Sequence, residues 1–322
     1  MIGLVSVAVA VTMMPACDEP QREAEGSCAC GEIETRGLQQ NGMVLNGMVL
    51  NGMVLNGMVL NGTLLGNPSG DEYVTLEKII LHGKGAASEA WLEGSNLVVK
   101  AKDGTLVSGD GLDSAKLKFE IRENGVTQKK TLKILDAKPL APGSDVWVYD
   151  ITIQVQGGPW QPLCLDSAGE PTQAILLGDT WSPETGARRA PLAGALTFAC
   201  RDAALAKCVE WGYRPWSTAG GMSLRDFHQA CTRLVRADYC GDGTSHTFNG
   251  TPVHALDEVG VQAPEPGATF AVEAEWNADG AVCLNTENMR AGAQELGCEI
   301  PACGSAFASG GLLQSGKIVA GP

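Results

Sequence analysis

The spacing with most chemical content places His228 three residues before Cys231. On a helix, that separation puts an imidazole and a sulfur on one face. A free thiolate there, with Asp238 or His246 orienting the ring, would supply the parts of a Cys-His hydrolase. The competing reading has Cys231 bridged and His228 as a packed, hydrogen-bonded side chain. A second cluster follows at once. Asp238, Asp242, Ser245 and His246 lie in a short acidic, glycine-rich stretch that could line a cation or polar-ligand site. Its spacing departs from the calcium loop D-x-[DN]-x-[DN]-G, and Gly and Asp are also what a turn after a helix requires.

These residues need a helix to position them. The pattern predicts one from Ser223 to about Asp238, with Ser223 as N-cap, Asp226 three residues on, and an apolar stripe through Phe227, Ala230, Cys231, Leu234 and Val235. A shorter helix is predicted over Ala203–Gly212, and strands over Glu273–Trp276 and Gly280–Leu284. Trp160, Trp181, Trp211, Trp216 and Trp276 fall in the same region. Indole faces suit sugars and peptides, although most tryptophans fill cores and pack against disulfides. The chain holds no GxSxG elbow, GxxxxGK[ST] phosphate loop or GxGxxG fingerprint.

Eight cysteines, Cys164, Cys200, Cys208, Cys231, Cys240, Cys283, Cys298 and Cys303, stand in the C-terminal half. In an exported chain they read as disulfides. None sits in a CxxC pair and no HExxH accompanies them, so zinc has little support. Two residues eight or nine apart on one continuous helix are separated by roughly 12 to 13 Å, beyond disulfide reach. Cys200 with Cys208, or Cys231 with Cys240, could therefore bond only if a helix begins between its members. A bridge from Cys208 to Cys231 between neighbouring helices is attractive, but spacing does not choose among the connectivities.

Export is expected from the N-terminus. Met1–Ala16 is an apolar run without a charge, shorter than the ~20 residues that span a bilayer. It ends in Met14-Pro15-Ala16-Cys17, which resembles a bacterial lipoprotein signal with Cys17 as the lipidated residue. Pro15 and the lack of a basic residue before the run depart from that pattern; an ordinary signal peptide cut near Ala16 is the alternative. Residues 18–40, with Cys28 and Cys30, read as a polar tether.

Asn-Gly-Met-Val-Leu then occurs four times from Asn41 to Leu60 and closes on Asn61-Gly62-Thr63-Leu64-Leu65. The unit is similar to the pentapeptide repeat, with Leu45, Leu50, Leu55 and Leu60 as inward residues. A β-helical coil, a string of Asn-Gly turns and an exposed stalk all remain open readings.

Downstream, Leu117, Phe119 and Ile121 alternate with charged residues, and Trp147, Tyr149, Ile151, Ile153 and Val155 form a longer alternating run. Asn124-Gly125 and Asp103-Gly104 are hairpin turns, and Gly157-Gly158-Pro159 reads as the end of this unit. The expected class is α+β. A signal peptide (1–17), tether (18–40) and repeat (41–66) precede an antiparallel β domain (67–158) and a disulfide-stapled mixed α/β domain (159–322).

Arg236-Ala237-Asp238-Tyr239-Cys240-Gly241-Asp242-Gly243-Thr244-Ser245-His246 resembles the ADYC domain family, named for four of these letters and found in predicted secreted proteins, chiefly of myxobacteria. Trp160-Gln161-Pro162-Leu163-Cys164, Leu196-Thr197-Phe198-Ala199-Cys200, Lys207-Cys208-Val209, Gly212-Tyr213-Arg214-Pro215-Trp216 and His228-Gln229-Ala230-Cys231 agree with it. The resemblance implies domain identity and export, and transfers no catalytic residue.

Composition bounds the partners. The chain has 44% hydrophobic and 19% charged residues, as folded proteins do. Its formal charge of -14 repels phosphate backbones, so nucleic acid is excluded as a partner. Contact with a membrane is expected through a lipid anchor alone, and no cofactor or metal is expected. The leading expectation is a non-catalytic envelope protein, lipid-anchored or extracellular, that binds an unidentified protein or glycan at the cell surface or contributes to surface architecture. The alternative is a secreted hydrolase using His228 or His246.

Overall fold

Leu117 and Phe119 are buried on one face of their strand while Lys116 stays exposed, as a half-buried strand requires. The structure, a computed structural model, describes Val49–Leu50, Met53–Val54, Gly62–Leu64 and residues 73–319 apart from 124–125, 167, 183–184, 190–194, 202, 249, 264–268 and 293–294. The expected signal peptide, Cys17, the tether with Cys28 and Cys30, most of the repeat, and the turn residues Asn124-Gly125 lie outside the described residues. Within the repeat, Val49–Leu50 pairs antiparallel with Met53–Val54.

The longer strands are β1 (Gly62–Leu64), β2 (Tyr73–Leu81), β3 (Gly85–Glu93), β4 (Asn96–Ala101), β5 (Leu106–Val107), β6 (Lys116–Glu123), β7 (Val126–Pro139), β8 (Trp147–Val155), β9 (Ala174–Leu177), β10 (Ala195–Cys200), β11 (His254–Asp257), β12 (Thr269–Asn277), β13 (Gly280–Leu284) and β14 (Leu313–Val319). The helices are α1 (Ala204–Glu210) and α2 (Arg225–Arg236). The class is α+β, as expected, and strand far outweighs helix among the described residues.

Seven strands form a closed circuit in the order β1-β10-β9-β8-β7-β6-β2. Its seam is β1, antiparallel to β10 at Leu196↔Gly62 and parallel to β2 at Thr63↔Thr75. The strands β3, β4 and β5 continue the sheet outward from β2 as a flap. Tyr149 ties that flap down: its hydroxyl donates to the Ser95 carbonyl at 3.0 Å and accepts the Leu97 N–H at 2.8 Å. The Asp103-Gly104 hairpin forms as expected, with Val99 opposite Val107 and the Asp103 carboxylate accepting the Thr105 N–H at 2.9 Å.

Gly157-Gly158-Pro159, read from composition as the end of a domain, is a turn inside this sheet. The chain comes straight back, with Gln161 opposite Ile153, and then supplies β9 and β10 to the same circuit. These strands are covered on both faces. Leu176, Leu196 and Phe198 join the inner core with Leu117, Phe119, Leu132 and Ile151. Ile175, Leu177 and Ala199 face outward, where Leu205, Ala206 and Val209 of α1 pack on them. Strands covered on both sides lose the period-two signal, which is why Ala174–Leu177 is apolar at every position.

The second layer is a four-stranded antiparallel sheet, β11-β14-β12-β13. Its apolar residues Ala274, Trp276, Leu284 and Leu313 share a core with Phe227, Ala230, Leu234 and Val235 of α2. Helix α2 starts at Arg225, and Leu224 rather than the expected Ser223 occupies the cap position. Ser223 lies in a two-residue strand, from which its hydroxyl accepts the Arg225 N–H at 3.3 Å. Asp226 in the first turn and Arg233 and Arg236 in the last suit the helix dipole.

Four disulfides lock the arrangement: Cys164–Cys200, Cys208–Cys231, Cys240–Cys298 and Cys283–Cys303. The second joins α1 to α2, one of the pairings that spacing leaves open. Among the described residues no helix is long and apolar enough to cross a membrane.

Candidate functional site

Cys231 is bridged to Cys208, so the sulfur expected beside His228 is not a nucleophile. His228 itself is fully buried. Its Nε2 lies 3.0 Å from the Leu205 carbonyl of α1. A carbonyl can only accept, so Nε2 carries the proton, and Nδ1 is left buried without a partner. Burial pushes the ring's pKa down to about 4, against the Leu205 hydrogen bond, so the imidazole is neutral at pH 7. Its neighbours are structural: the Trp181 ring stands 5.8 Å away, and Trp181 Nε1 donates to Gln229 Oε1 at 2.7 Å.

The turn after α2 consumes its polar residues in the same way. Ala237 ends the helix in the left-handed conformation, φ 49° and ψ 44°. Asp238, fully buried, accepts from Arg233 Nη1 and from the Gly243 N–H at 3.1 Å. Burial raises the Asp238 carboxyl above its ordinary range, and Arg233 pulls against that rise. Cys240 is bridged to Cys298. Gly241 has φ +69° and lies so close to the turn between β12 and β13 that a Cβ there would sit 1.6 Å from the Asp279 carbonyl oxygen.

The Asp242 carboxylate accepts the Thr244 N–H at 2.8 Å, a bond that lowers its pKa. Ser245 Oγ and the His246 N–H both donate to the Arg236 carbonyl, at 2.9 and 3.1 Å. The His246 ring packs 5.6 Å from Tyr239. Asp238, Asp242, Ser245 and His246 thus all take part in closing a turn. Among the described residues no group of His, Cys, Asp or Glu is arranged to hold a metal ion.

Tyr239 connects this turn to a centre that sequence reasoning missed. Its ring stacks on Trp276 at 5.2 Å, and its hydroxyl donates to Glu273 Oε1 at 2.7 Å. Glu273 is paired with Arg290, and both side chains are 1% exposed. Arg290 Nε donates to both carboxylate oxygens of Glu273, at 2.9 and 3.0 Å, and Nη1 donates to the Leu234 carbonyl of α2 at 2.9 Å. Ser315 Oγ adds a bond to Glu273 Oε2 at 2.7 Å, and itself accepts from Trp276 Nε1 at 2.8 Å. Burial alone would raise the Glu273 carboxyl. The charge of Arg290, with the hydrogen bonds of Arg290, Tyr239 and Ser315, outweighs it and brings the pKa down to about 2. The available signal was two carboxylates, Glu273 and Glu275, at alternate positions of an otherwise apolar strand.

Of the five tryptophans, Trp181, Trp211 and Trp276 are buried. Trp216 is half-buried, with its Nε1 donating to Asp145 Oδ2 at 2.8 Å, and Trp160 is exposed. Trp181 and Trp276 are therefore core residues and present no indole face to a sugar.

Beside the Glu273–Arg290 pair lies a half-open cavity of about 370 Å³, lined by Thr251, Pro252, His254, Arg290, Lys317 and Ile318. The family model of the ADYC domain matches residues 109–290, more than half of the chain. The chain belongs to the ADYC domain family. No curated protein and no solved structure matches it. The matched span runs from the start of the short 3-10 turn before β6 to Arg290, so the ADYC domain takes in β6 to β13 and both helices. The four letters of its name each hold a structural position: Ala237 ends α2, Asp238 pins the turn, Tyr239 reaches the buried ion pair, and Cys240 is cross-linked. The chain's four disulfides among the described residues, two of which reach past residue 290, are those of a protein that folds in an oxidising compartment, outside the cytosol.

Proposed function

We propose that the chain is an exported protein held at the cell envelope by a lipid on Cys17, and that its role there is non-catalytic, binding a surface protein or glycan or contributing to surface architecture. One observation carries the reading. The residues that a hydrolase would have used are consumed by the fold: Cys231 is a disulfide sulfur and His228 is a sealed, neutral ring. His246, the other candidate base, has its backbone bound to Arg236 and its ring against Tyr239. The Asp238–His246 turn is closed by internal bonds that leave it a scaffold.

The test is expression of the complete chain in a bacterial host with lipoprotein processing, followed by fractionation and native thiol titration. The wild type is expected in the membrane fraction with a lipid-modified Cys17, and Cys17→Ser in the soluble exported fraction. No reactive thiol is expected from the eight cysteines downstream of residue 160. Unchanged fractionation of Cys17→Ser would refute the anchor. A reactive Cys231 in folded protein would revive the hydrolase.

A further inference from the structure

The cavity beside the buried ion pair has walls of two kinds. Pro252 and Ile318 are apolar, and Ile318 is 37% exposed. The lining also holds Lys317, His254 and Thr251, together with Arg290, whose guanidinium is itself buried against Glu273. The backbone explains the opening. The ladder between β11 and β14 ends at His254↔Gly316, while β14 runs on through Lys317 and Ile318 against β12. Pro252 has no N–H with which to extend that ladder. Instead the Thr251 N–H turns back to the Phe248 carbonyl at 3.2 Å, and Phe248, 58% exposed, stands in the same turn.

The charges differ in what they already hold. The guanidinium of Arg290 is matched by Glu273. Lys317 is exposed and makes no ion pair among the described residues. An exposed lysine in the lining of an amphipathic cavity is placed to meet an anion. Pro252 and Ile318 favour an apolar body over a heavily hydroxylated one.

From this we infer that the cavity is a binding site for a small organic acid, a carboxylate on a short apolar or aromatic body. The carboxylate meets Lys317, with Thr251 and His254 beside it, and the body lies on Pro252 and Ile318. This goes beyond the envelope role proposed above and does not depend on the lipid anchor.

Calorimetric titration of the mature chain with benzoate, benzamide and acetate tests it. Benzoate is expected to bind saturably, at least tenfold tighter than benzamide, which lacks the charge, or acetate, which lacks the body. Lys317→Met keeps the apolar stem of an exposed residue, and is expected to weaken benzoate about tenfold, the worth of one charge-assisted hydrogen bond, with an unchanged melting temperature. Ile318→Thr is expected to weaken benzoate but not acetate. Benzamide or acetate binding as well as benzoate, no loss in Lys317→Met, or no saturable benzoate binding at tens of millimolar would each overturn the assignment.

Discussion

The hydroxyl of Tyr239 donates to Oε1 of Glu273 at 2.7 Å, joining the turn after α2 to a carboxylate on β12, one of the two inner strands of the second sheet. Glu273 also carries Arg290, and Arg290 reaches back to the Leu234 carbonyl of α2. Helix, turn and sheet therefore meet at one buried carboxylate.

Substitutions at this junction have a predicted order. Tyr239→Phe removes one hydrogen bond to a charged group and is expected to cost about 2 kcal/mol. Glu273→Gln leaves Arg290 buried without its counter-charge and is expected to cost about 3 to 5 kcal/mol. Urea unfolding at pH 7 followed by tryptophan fluorescence measures both. Equal costs would mean that the ion pair is not what holds the junction.

Acid should weaken the fold in two windows. His228 has its folded pKa depressed from 6.5 to about 4, so the unfolded chain binds this proton first as pH falls. The stability it contributes is complete above 6.5 and is lost between 6.5 and 4, up to roughly 3 kcal/mol. Glu273, depressed from 4.5 to about 2, loses its contribution below 4.5. His228→Gln should flatten the upper window and leave the lower one. A wild-type stability that stays level from pH 7 to 5 would contradict the sealed, neutral ring.

Gly241 should tolerate no side chain. Its φ of +69° disfavours L residues, and a Cβ would overlap the Asp279 carbonyl. Gly241→Ala is expected to cost about 3 kcal/mol or more, whereas Gly250→Ala, with nothing within 4 Å, should cost only the backbone strain of its φ of +84°. Thermal melts of the two variants give the comparison.

The disulfides should differ in worth by the loop that each closes. Cys240–Cys298 spans 58 residues and Cys283–Cys303 spans 20. Restricting the unfolded chain predicts about 4 kcal/mol for the first and about 3 kcal/mol for the second. Replacing each pair by alanines and measuring denaturant midpoints tests the order. A larger loss from the shorter loop would point to native contacts in place of chain entropy.

Local pattern carried much of this protein. Alternation marked β6 and β8 because each buries one face, and the 3.6-residue stripe marked α2 because one side of it meets the second sheet. The motif around Ala237–Cys240 was enough to indicate the family. Local pattern failed where strands are covered on both faces, as in β9, and where Gly157-Gly158-Pro159 looked like a boundary but serves as a turn between neighbouring strands. His228 and Cys231 looked like chemistry because spacing reports a shared helix face. It does not report that the face is sealed against α1.

By itself, then, the sequence determined the α+β class, the helix that presents His228, the cysteine-rich character and the family. These depend on residues close together in the chain. Only the tertiary structure decided that Gly62–Leu64 closes a circuit between β10 and β2, that Cys240 pairs with Cys298, and that Glu273 meets Arg290 beneath an open cavity. Each of those joins distant segments, whose register is set by how whole faces pack and leaves no mark on the residues around either end.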